Sequence, residues 1–172
     1  ARKNIGKRTI FNVIGPLVNP LHPKFQIIGT SSEDLHDPIS KVLQKKGIEH
    51  GIVVTSNDGI DEFTIINSSK ITEIKRGKIK KWTFDPESYG INCGNLAEIQ
   101  CNTGEEAYLL GVDVLNGKRC AAAEMVAINS GVALYMLNLV ETINDGIIKS
   151  KSILNSGRTL LLLNRFATLS KS

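Results

Sequence analysis

The chain has 172 residues, of which 41% are hydrophobic and 22% are charged, a composition that is typical of folded proteins and excludes wholesale disorder. This length suits one domain with a sizeable core, or most of a slightly larger one. Lys and Arg number 21 against 17 Asp and Glu, and the net charge of +4 suits small anionic molecules but is too weak to indicate a nucleic-acid partner.

The first elements read as a helix, a turn and a strand. Apolar side chains recur at a loose helical spacing in residues 2–14, and we expect Gly15 and Pro16 to end that helix. After the turn-rich NPLHP segment, the run FQIIGTS that starts at Phe25 predicts a strand.

A helix and a second strand follow. In residues 31–47 the acidic residues come early, the lysines late and Gly47 last, which is the order that the helix dipole favours. Ser32 is a candidate N-cap, and Pro38 makes a turn followed by a helix an alternative to one continuous helix. IEHGIVVTS, residues 48–56, predicts the next strand, so the three elements form a βαβ unit with parallel strands.

An acidic turn, NDGIDEFT at residues 57–64, comes directly after the second strand. The ordinary explanation for such a segment is an Asp/Gly turn with solvated charges. Neighbouring side chains of a strand point to opposite faces, whereas in a loop Asp61 and Glu62 can converge on one cation. Because open α/β sheets bind ligands at the carboxyl ends of parallel strands, this position favours a functional role for the pair.

Three short strands and four helices complete the pattern. FTIINSS, KITEIKRG and KIKKWTF are predicted to be successive antiparallel strands, with a lysine-rich turn before the last one. From Gly104 onward the spacing becomes helical, in four segments. The second of these, RCAAAEMVAINSGVALYMLNLV, is rich in small residues, which indicates close packing against a neighbouring helix.

Common cofactor and metal motifs are missing from the sequence. It contains no GxGxxG, no GxxxxGK[ST] and no GxSxG, so neither a dinucleotide fingerprint, a P-loop nor a nucleophile elbow is expected. The three histidines have no ligand spacing and the three cysteines contain no CxxC pair, and a reducing cytoplasm is the expected setting. No apolar stretch reaches the length of a membrane span.

One long motif carries a family resemblance. RKNIGKRTIFNVIGPLVNP, residues 2–20, closely resembles the R-x-x-L-G-x-R-T-x-F-N-x-x-G-P-L-x-N-P signature of the anthranilate phosphoribosyltransferases. Later segments agree in the same order, namely QIIG, VV before NDGIDE, PESYGI, VLNG and LNSG. The resemblance covers the whole chain but only about the carboxyl-terminal half of the family's length, which indicates a fragment.

The resemblance implies a fold and a reaction. The fold would be similar to that of the pyrimidine-type nucleoside phosphorylases: an α/β class with a mixed, largely parallel sheet flanked by helices. Residues 1–20 would be a remnant of the small helical domain with its hinge, and residues 21–172 the large α/β domain. The reaction would be the transfer of phosphoribose from phosphoribosyl pyrophosphate to the amino group of anthranilate in tryptophan biosynthesis, with release of pyrophosphate and with Mg²⁺ bound.

The resemblance also implies roles for five residues. Arg2 matches the arginine that holds the anthranilate carboxylate, and Gly15 and Pro16 match the turn that lines the same pocket. Asp61 and Glu62 match the magnesium carboxylates. The roles are chemically sound, since a guanidinium can meet a carboxylate with two hydrogen bonds and Mg²⁺ prefers hard oxygen ligands. No strong general base is expected, and the full-length parent is expected to be a homodimer.

The chain departs from the family pattern in three places. Thr55 and Ser56 stand where the family often has His-Gly, in VVHGxDGLDE, and residues 105–107 read EEA where ENA is expected. The family's glycine-rich phosphate loop and KHGN-like segment would lie upstream of Ala1. Without that pyrophosphate cradle, we expect the isolated chain to be inactive.

Two alternatives to the transferase assignment stay open at this point. One is a related pyrimidine nucleoside phosphorylase, which is disfavoured because GPLVNP is followed so closely by DGIDE. The other is a non-catalytic ligand-binding homologue that has lost its phosphate loop.

Overall fold

The computed structural model describes residues 11–91 and 94–170, and it has a four-stranded sheet with helices on both faces. Short 3₁₀ turns lie at Glu33–Leu35, Pro86–Tyr89 and Leu96–Glu98. The remaining elements, in chain order, are α1 (Phe11–Leu17), β1 (Phe25–Gly29), α2 (His36–Lys45), β2 (His50–Ser56), β3 (Ser69–Lys75), β4 (Lys78–Phe84), α3 (Gly104–Leu115), α4 (Ala121–Met136), α5 (Ile143–Asn155) and α6 (Arg158–Leu169).

The sheet has the order β1-β2-β3-β4. β1 and β2 are parallel, and the pairs β2-β3 and β3-β4 are antiparallel. The predicted βαβ unit and the mixed sheet flanked by helices are therefore confirmed. The parallel share of the described sheet is smaller than predicted, because β3 and β4 form a hairpin whose turn residues Arg76 and Gly77 have φ angles of 48° and 75°, the conformation of a tight hairpin turn.

The segment FTIINSS, predicted to be a strand, is a buried loop. Phe63, Thr64 and Ile65 are consecutive and all at most 1% exposed, which breaks the alternation that a strand with one buried face requires. The Phe63 N–H donates to Asn129 Oδ1 at 3.2 Å and the Thr64 hydroxyl donates to Asp58 Oδ2 at 3.0 Å. The Asn129 side chain thus takes the place of a neighbouring strand at the Phe63 backbone, whereas the bond to Asp58 fixes the Thr64 side chain.

β2 is buried along its whole length and separates two cores. Ile52 and Val54 pack on one side with Phe63, Phe84 and residues of α4, including Ile128. Val53 points to the other side and packs against α2. Side chains on both faces of β2 thus pack in an apolar layer, which explains why its sequence is a continuous apolar run.

The helices confirm the pattern from Gly104 onward, including the close packing of the small residues. A Cβ atom added to Gly131 of α4 would lie 2.6 Å from the backbone nitrogen of Ile147 in α5. Such a distance leaves no room for a side chain, so the two helix backbones touch at this point. No helix of residues 11–91 and 94–170 is long and apolar enough to cross a membrane.

Two helix-boundary predictions need correction. Gly15 and Pro16 lie inside α1 and do not end it; the Val18 N–H still donates to the Ile14 carbonyl at 3.1 Å, so the proline removes one donor without opening the last turn. Ser32 begins a 3₁₀ turn and makes no side-chain cap bond. α2 then starts at His36 with Pro38 in its first turn, as the turn-then-helix alternative predicted.

Candidate functional site

The acidic turn after β2 is held in shape by Asp58. Its Oδ1 accepts hydrogen bonds from the Ser56 hydroxyl and, at 3.1 Å, from the Ile60 N–H. Its Oδ2 accepts from the Thr64 hydroxyl at 3.0 Å. The Ser56 N–H also donates to the Ile60 carbonyl at 3.0 Å. Both carboxylate oxygens of Asp58 are therefore bonded inside the loop.

Asp61 and Glu62, by contrast, lie exposed at the far side of this turn. Neither carboxylate has a hydrogen bond or ion pair to another described residue. Across residues 11–91 and 94–170, no three or more His, Cys, Asp or Glu side chains form a group that could hold a metal ion. Two free carboxylates suit Mg²⁺, which keeps several water ligands and binds through one or two protein carboxylates together with substrate phosphates.

The backbone of Asp61 rests directly on the end of β1. A Cβ atom added to Gly29 would lie 1.7 Å from the Asp61 carbonyl oxygen. Only glycine permits this approach, since any side chain would push the loop away. The end of β1 thus supports the acidic turn that follows its parallel neighbour, β2.

The far end of the loop is attached to α4 through Asn129. Its Oδ1 accepts from the Phe63 N–H at 3.2 Å, and its Nδ2 donates to the Phe63 carbonyl at 2.8 Å and to the Met125 carbonyl at 3.0 Å. The amide side chain supplies an acceptor to the N–H and a donor to the carbonyl of the same residue, Phe63. Asp61 and Glu62 therefore lie between two fixed points, Gly29 and Phe63.

The predicted substrate residues lie at the beginning of the chain. Arg2 falls outside the described residues. Gly15 and Pro16 are exposed in α1, and the Pro16 carbonyl accepts a hydrogen bond of 2.6 Å from Gln26 Nε2 in β1. Because Gln26 and Gly29 are three residues apart, β1 fixes the Pro16 turn and the acidic loop at points about 10 Å apart along one strand.

Comparison with known proteins places the chain in a family. Residues 1–160 match the model of the glycosyl transferase family, a/b domain. The chain belongs to this family.

The relatives described next are anthranilate phosphoribosyltransferases, and those with solved structures have the same fold as this chain. The anthranilate phosphoribosyltransferase of Vesicomyosocius okutanii is 42% identical over 156 residues, which are 91% of this chain and 46% of the relative. The crystal structure of the Thermus thermophilus anthranilate phosphoribosyltransferase superposes with a TM-score of 0.86 at 27% identity, over 99% of this chain and 50% of that one. The Saccharomyces cerevisiae enzyme in complex with PRPP and Mg gives a TM-score of 0.84 at 27% identity, over 96% and 48% of the two chains. This member of the glycosyl transferase family thus spans about half the length of the relatives that it matches.

The two departures from the family pattern beside the site take part in hydrogen bonds of their own. Ser56 binds Asp58, as described above. The Thr55 hydroxyl donates to the Thr30 carbonyl at 3.0 Å and lies 2.9 Å from Nε2 of His36. Burial lowers the pKa of His36 and outweighs the charges of its neighbours, so the imidazole is neutral at physiological pH.

Three residues that position the acidic loop of this family member were not assigned by sequence reasoning. Asp58 is visible in the sequence as an Asp two residues after Ser56, the pattern of a side chain that organises a turn. Asn129 stands out as a polar residue in an apolar helix. Gly29 gives no such signal, because its contact with Asp61 depends on how two distant segments approach each other.

A second carboxylate site lies at the opposite end of β2. Glu73 of β3, 8% exposed, accepts from His50 Nε2 at 2.7 Å, Tyr135 Oη at 3.2 Å and Trp82 Nε1 at 3.1 Å. His50 Nδ1 lies 3.2 Å from the Met136 carbonyl. The rings of His50 and Tyr135 meet edge to face with centroids 5.4 Å apart. These bonds join β2, β3, β4 and α4.

Proposed function

We propose that the chain is the carboxyl-terminal half of a magnesium-dependent anthranilate phosphoribosyltransferase. The observation that carries the proposal is the pair of unpartnered carboxylates, Asp61 and Glu62, on a fixed loop at the carboxyl end of a parallel strand. Membership of the glycosyl transferase family and the relatives named above support the reaction.

In this proposal Asp61 and Glu62 hold Mg²⁺. The ion supplies positive charge that stabilises a departing pyrophosphate. The protein contributes a loop whose shape is fixed before the metal arrives, because Asp58, Gly29 and Asn129 already hold it. A loop fixed in advance loses little conformational entropy on binding, which strengthens a site with only two protein ligands.

The anthranilate side of the proposed site consists of Arg2, Gly15 and Pro16. A planar guanidinium can bind the anthranilate carboxylate with two hydrogen bonds and orient the ring, so that its amine faces the ribose. The aromatic amine is neutral near pH 7 and needs no strong base, so positioning and charge stabilisation supply most of the rate. The proposal includes a cytoplasmic setting, supported by the free cysteines Cys101 and Cys120, and a homodimer of the full-length protein.

The metal assignment is tested by a magnesium titration of transferase activity in the full-length protein. Asp61→Asn and Glu62→Gln remove one charge each and keep the side-chain size. We expect either change to raise the Mg²⁺ concentration for half-maximal activity about tenfold, the effect of about 1.4 kcal/mol of lost binding energy. Glu141→Gln, at an exposed carboxylate just after α4, is the matched control and should leave the titration unchanged.

The substrate side is tested by kinetics of Arg2→Ala in the same protein. The KM for anthranilate should rise far more than the KM for phosphoribosyl pyrophosphate, because the clamp acts on one substrate only. Equal increases in both constants would show that Arg2 is not the clamp. A full-length protein that binds these ligands but never turns them over would favour the non-catalytic homologue.

A further inference from the structure

A buried polar cluster lies between α2 and the sheet, at the ends of β1 and β2. His36 is 2% exposed, and Thr30, Thr55 and Thr72 are between 1% and 8% exposed. His36 Nδ1 lies 2.9 Å from Thr72 Oγ1, and its Nε2 lies 2.9 Å from Thr55 Oγ1. The Thr30 and Thr55 hydroxyls are 2.5 Å apart, and Thr30 also donates to the Ser32 carbonyl at 3.0 Å. One imidazole thus connects three segments that are far apart in the sequence.

Each ring nitrogen of His36 faces one threonine hydroxyl. A neutral imidazole has one donor and one acceptor nitrogen, and a hydroxyl can donate or accept, so either tautomer makes the bonds to both Thr55 and Thr72. His36, Thr55 and Thr72 each therefore have a partner, which is the condition for a buried polar network to stabilise a structure.

The cluster lies directly behind the acidic loop. Thr30 follows Gly29, on which the Asp61 backbone rests. Thr55 precedes Ser56, whose N–H closes the loop by donating to the Ile60 carbonyl. His36 therefore holds the end of β2 from which the acidic loop starts, and it reaches the end of β1 through the contact between Thr55 and Thr30. It bonds to neither carboxylate.

We propose that His36 is a positioning residue for the metal site: it ties the end of β2 to β3 through Thr55 and Thr72, Thr55 in turn binds Thr30 just after β1, and this connection sets the location of Asp61 and Glu62. The proposal rests on the proposed function for the identity of the ligand, though not for the mechanical link. His36 is buried beneath the loop and does not act on the substrate. An apolar side chain of similar size would fill the same space, but it would leave the Thr55 and Thr72 hydroxyls with one partner fewer.

The mechanical link is tested on the 172-residue chain by amide hydrogen exchange, which needs no activity. In His36→Leu, the Thr30 and Ser56 amides, which bond to Val54 and Ile60, should exchange about tenfold faster. The amides of Glu49 and Arg76, at the other end of the sheet, should keep their rates. Ser40→Ala, which removes a buried hydroxyl from the same helix, is the control and should not change the Thr30 and Ser56 rates.

Two other variants protect the test against simple misfolding. Thr55→Val removes one hydroxyl with little change in shape and should give the same local pattern as His36→Leu. His36→Gln, which can again donate to Thr55, should restore part of the protection. Equal acceleration at all four amides, or none at Thr30 and Ser56, would overturn the proposal.

The functional consequence is measured in the full-length protein. His36→Leu should raise the Mg²⁺ concentration for half-maximal activity several-fold, leave the KM for anthranilate unchanged and be partly rescued by His36→Gln. An unchanged magnesium titration together with altered amide exchange would overturn the positioning role. If Asp61→Asn also left the titration unchanged, the metal assignment itself would fail, and the exchange experiment would still report on the link.

Discussion

Carboxylates in opposite environments lie near the two ends of β2. At its amino end, Glu73 is buried and accepts hydrogen bonds from three side chains, of His50, Trp82 and Tyr135. At its carboxyl end, Asp61 and Glu62 are exposed and have no partner among the described residues. The same chemical group is thus satisfied by the protein at one end and left open at the other.

This difference teaches how to separate a structural carboxylate from one that binds a ligand. A carboxylate whose acceptor sites are filled by protein donors contributes to stability and cannot ligate a metal without losing those bonds. An exposed pair on a loop that is held by other residues contributes little to stability and keeps its oxygens free. Substitutions at the two ends should therefore affect stability and metal response in opposite ways.

The largest effect on stability is expected from Glu73→Gln. The amide would place an N–H donor against another donor of the cluster and leave His50 without its charged partner, at a cost of about 3 kcal/mol. Urea unfolding of the 172-residue chain measures this loss. Asp61→Asn should change the free energy of unfolding by no more than about 0.5 kcal/mol, as substitutions at exposed positions generally do. Similar losses for the two variants would remove the distinction between the two ends.

A smaller loss is expected from Gly29→Ala. The new methyl group would collide with the Asp61 carbonyl, 1.7 Å from the ideal Cβ position, and moving the loop should cost about 2 kcal/mol. The same change should weaken the magnesium response although both carboxylates are intact. Gly104→Ala, where an added Cβ meets nothing within 4 Å, is the matched control in both assays. A normal magnesium titration for Gly29→Ala would show that the loop position does not matter.

The smallest effect on stability is expected from a fall in pH. The hydrogen bond from His50, assisted by Trp82 and Tyr135, lowers the pKa of Glu73 below its ordinary value of 4.5, although burial opposes the shift. Because the folded pKa is the lower one, the ionised carboxylate adds stability above the unfolded pKa, and that stability is lost as pH falls through the folded pKa. The urea midpoint should therefore fall more steeply between about pH 5 and pH 3 in the wild type than in Glu73→Gln. Parallel curves would contradict the assignment.

Part of the site was predictable because its signals are local. Asp61 and Glu62 come just after the second strand of a recognisable βαβ pattern, and residues 2–20 carry a long family signature. The prediction of a strand at FTIINSS was wrong for a physical reason. Its β-prone residues are buried in a loop, where the Asn129 side chain binds the Phe63 N–H and carbonyl that a neighbouring strand would have bound.

By itself, the sequence determined the α/β class, most of the helices, the βαβ unit, the hairpin and the identity of the candidate ligand residues. The elements depend on the spacing of apolar side chains and on residue types within a few positions of each other, and the candidate ligand residues follow from the family signature that the sequence resembles. Only the tertiary structure decided that Gly29 supports Asp61, that Asn129 holds the loop, and that His36 connects β2 with β3 through Thr55 and Thr72. Such contacts join residues that are 19 to 66 positions apart, and their geometry is set by how the sheet and helices pack rather than by any local pattern.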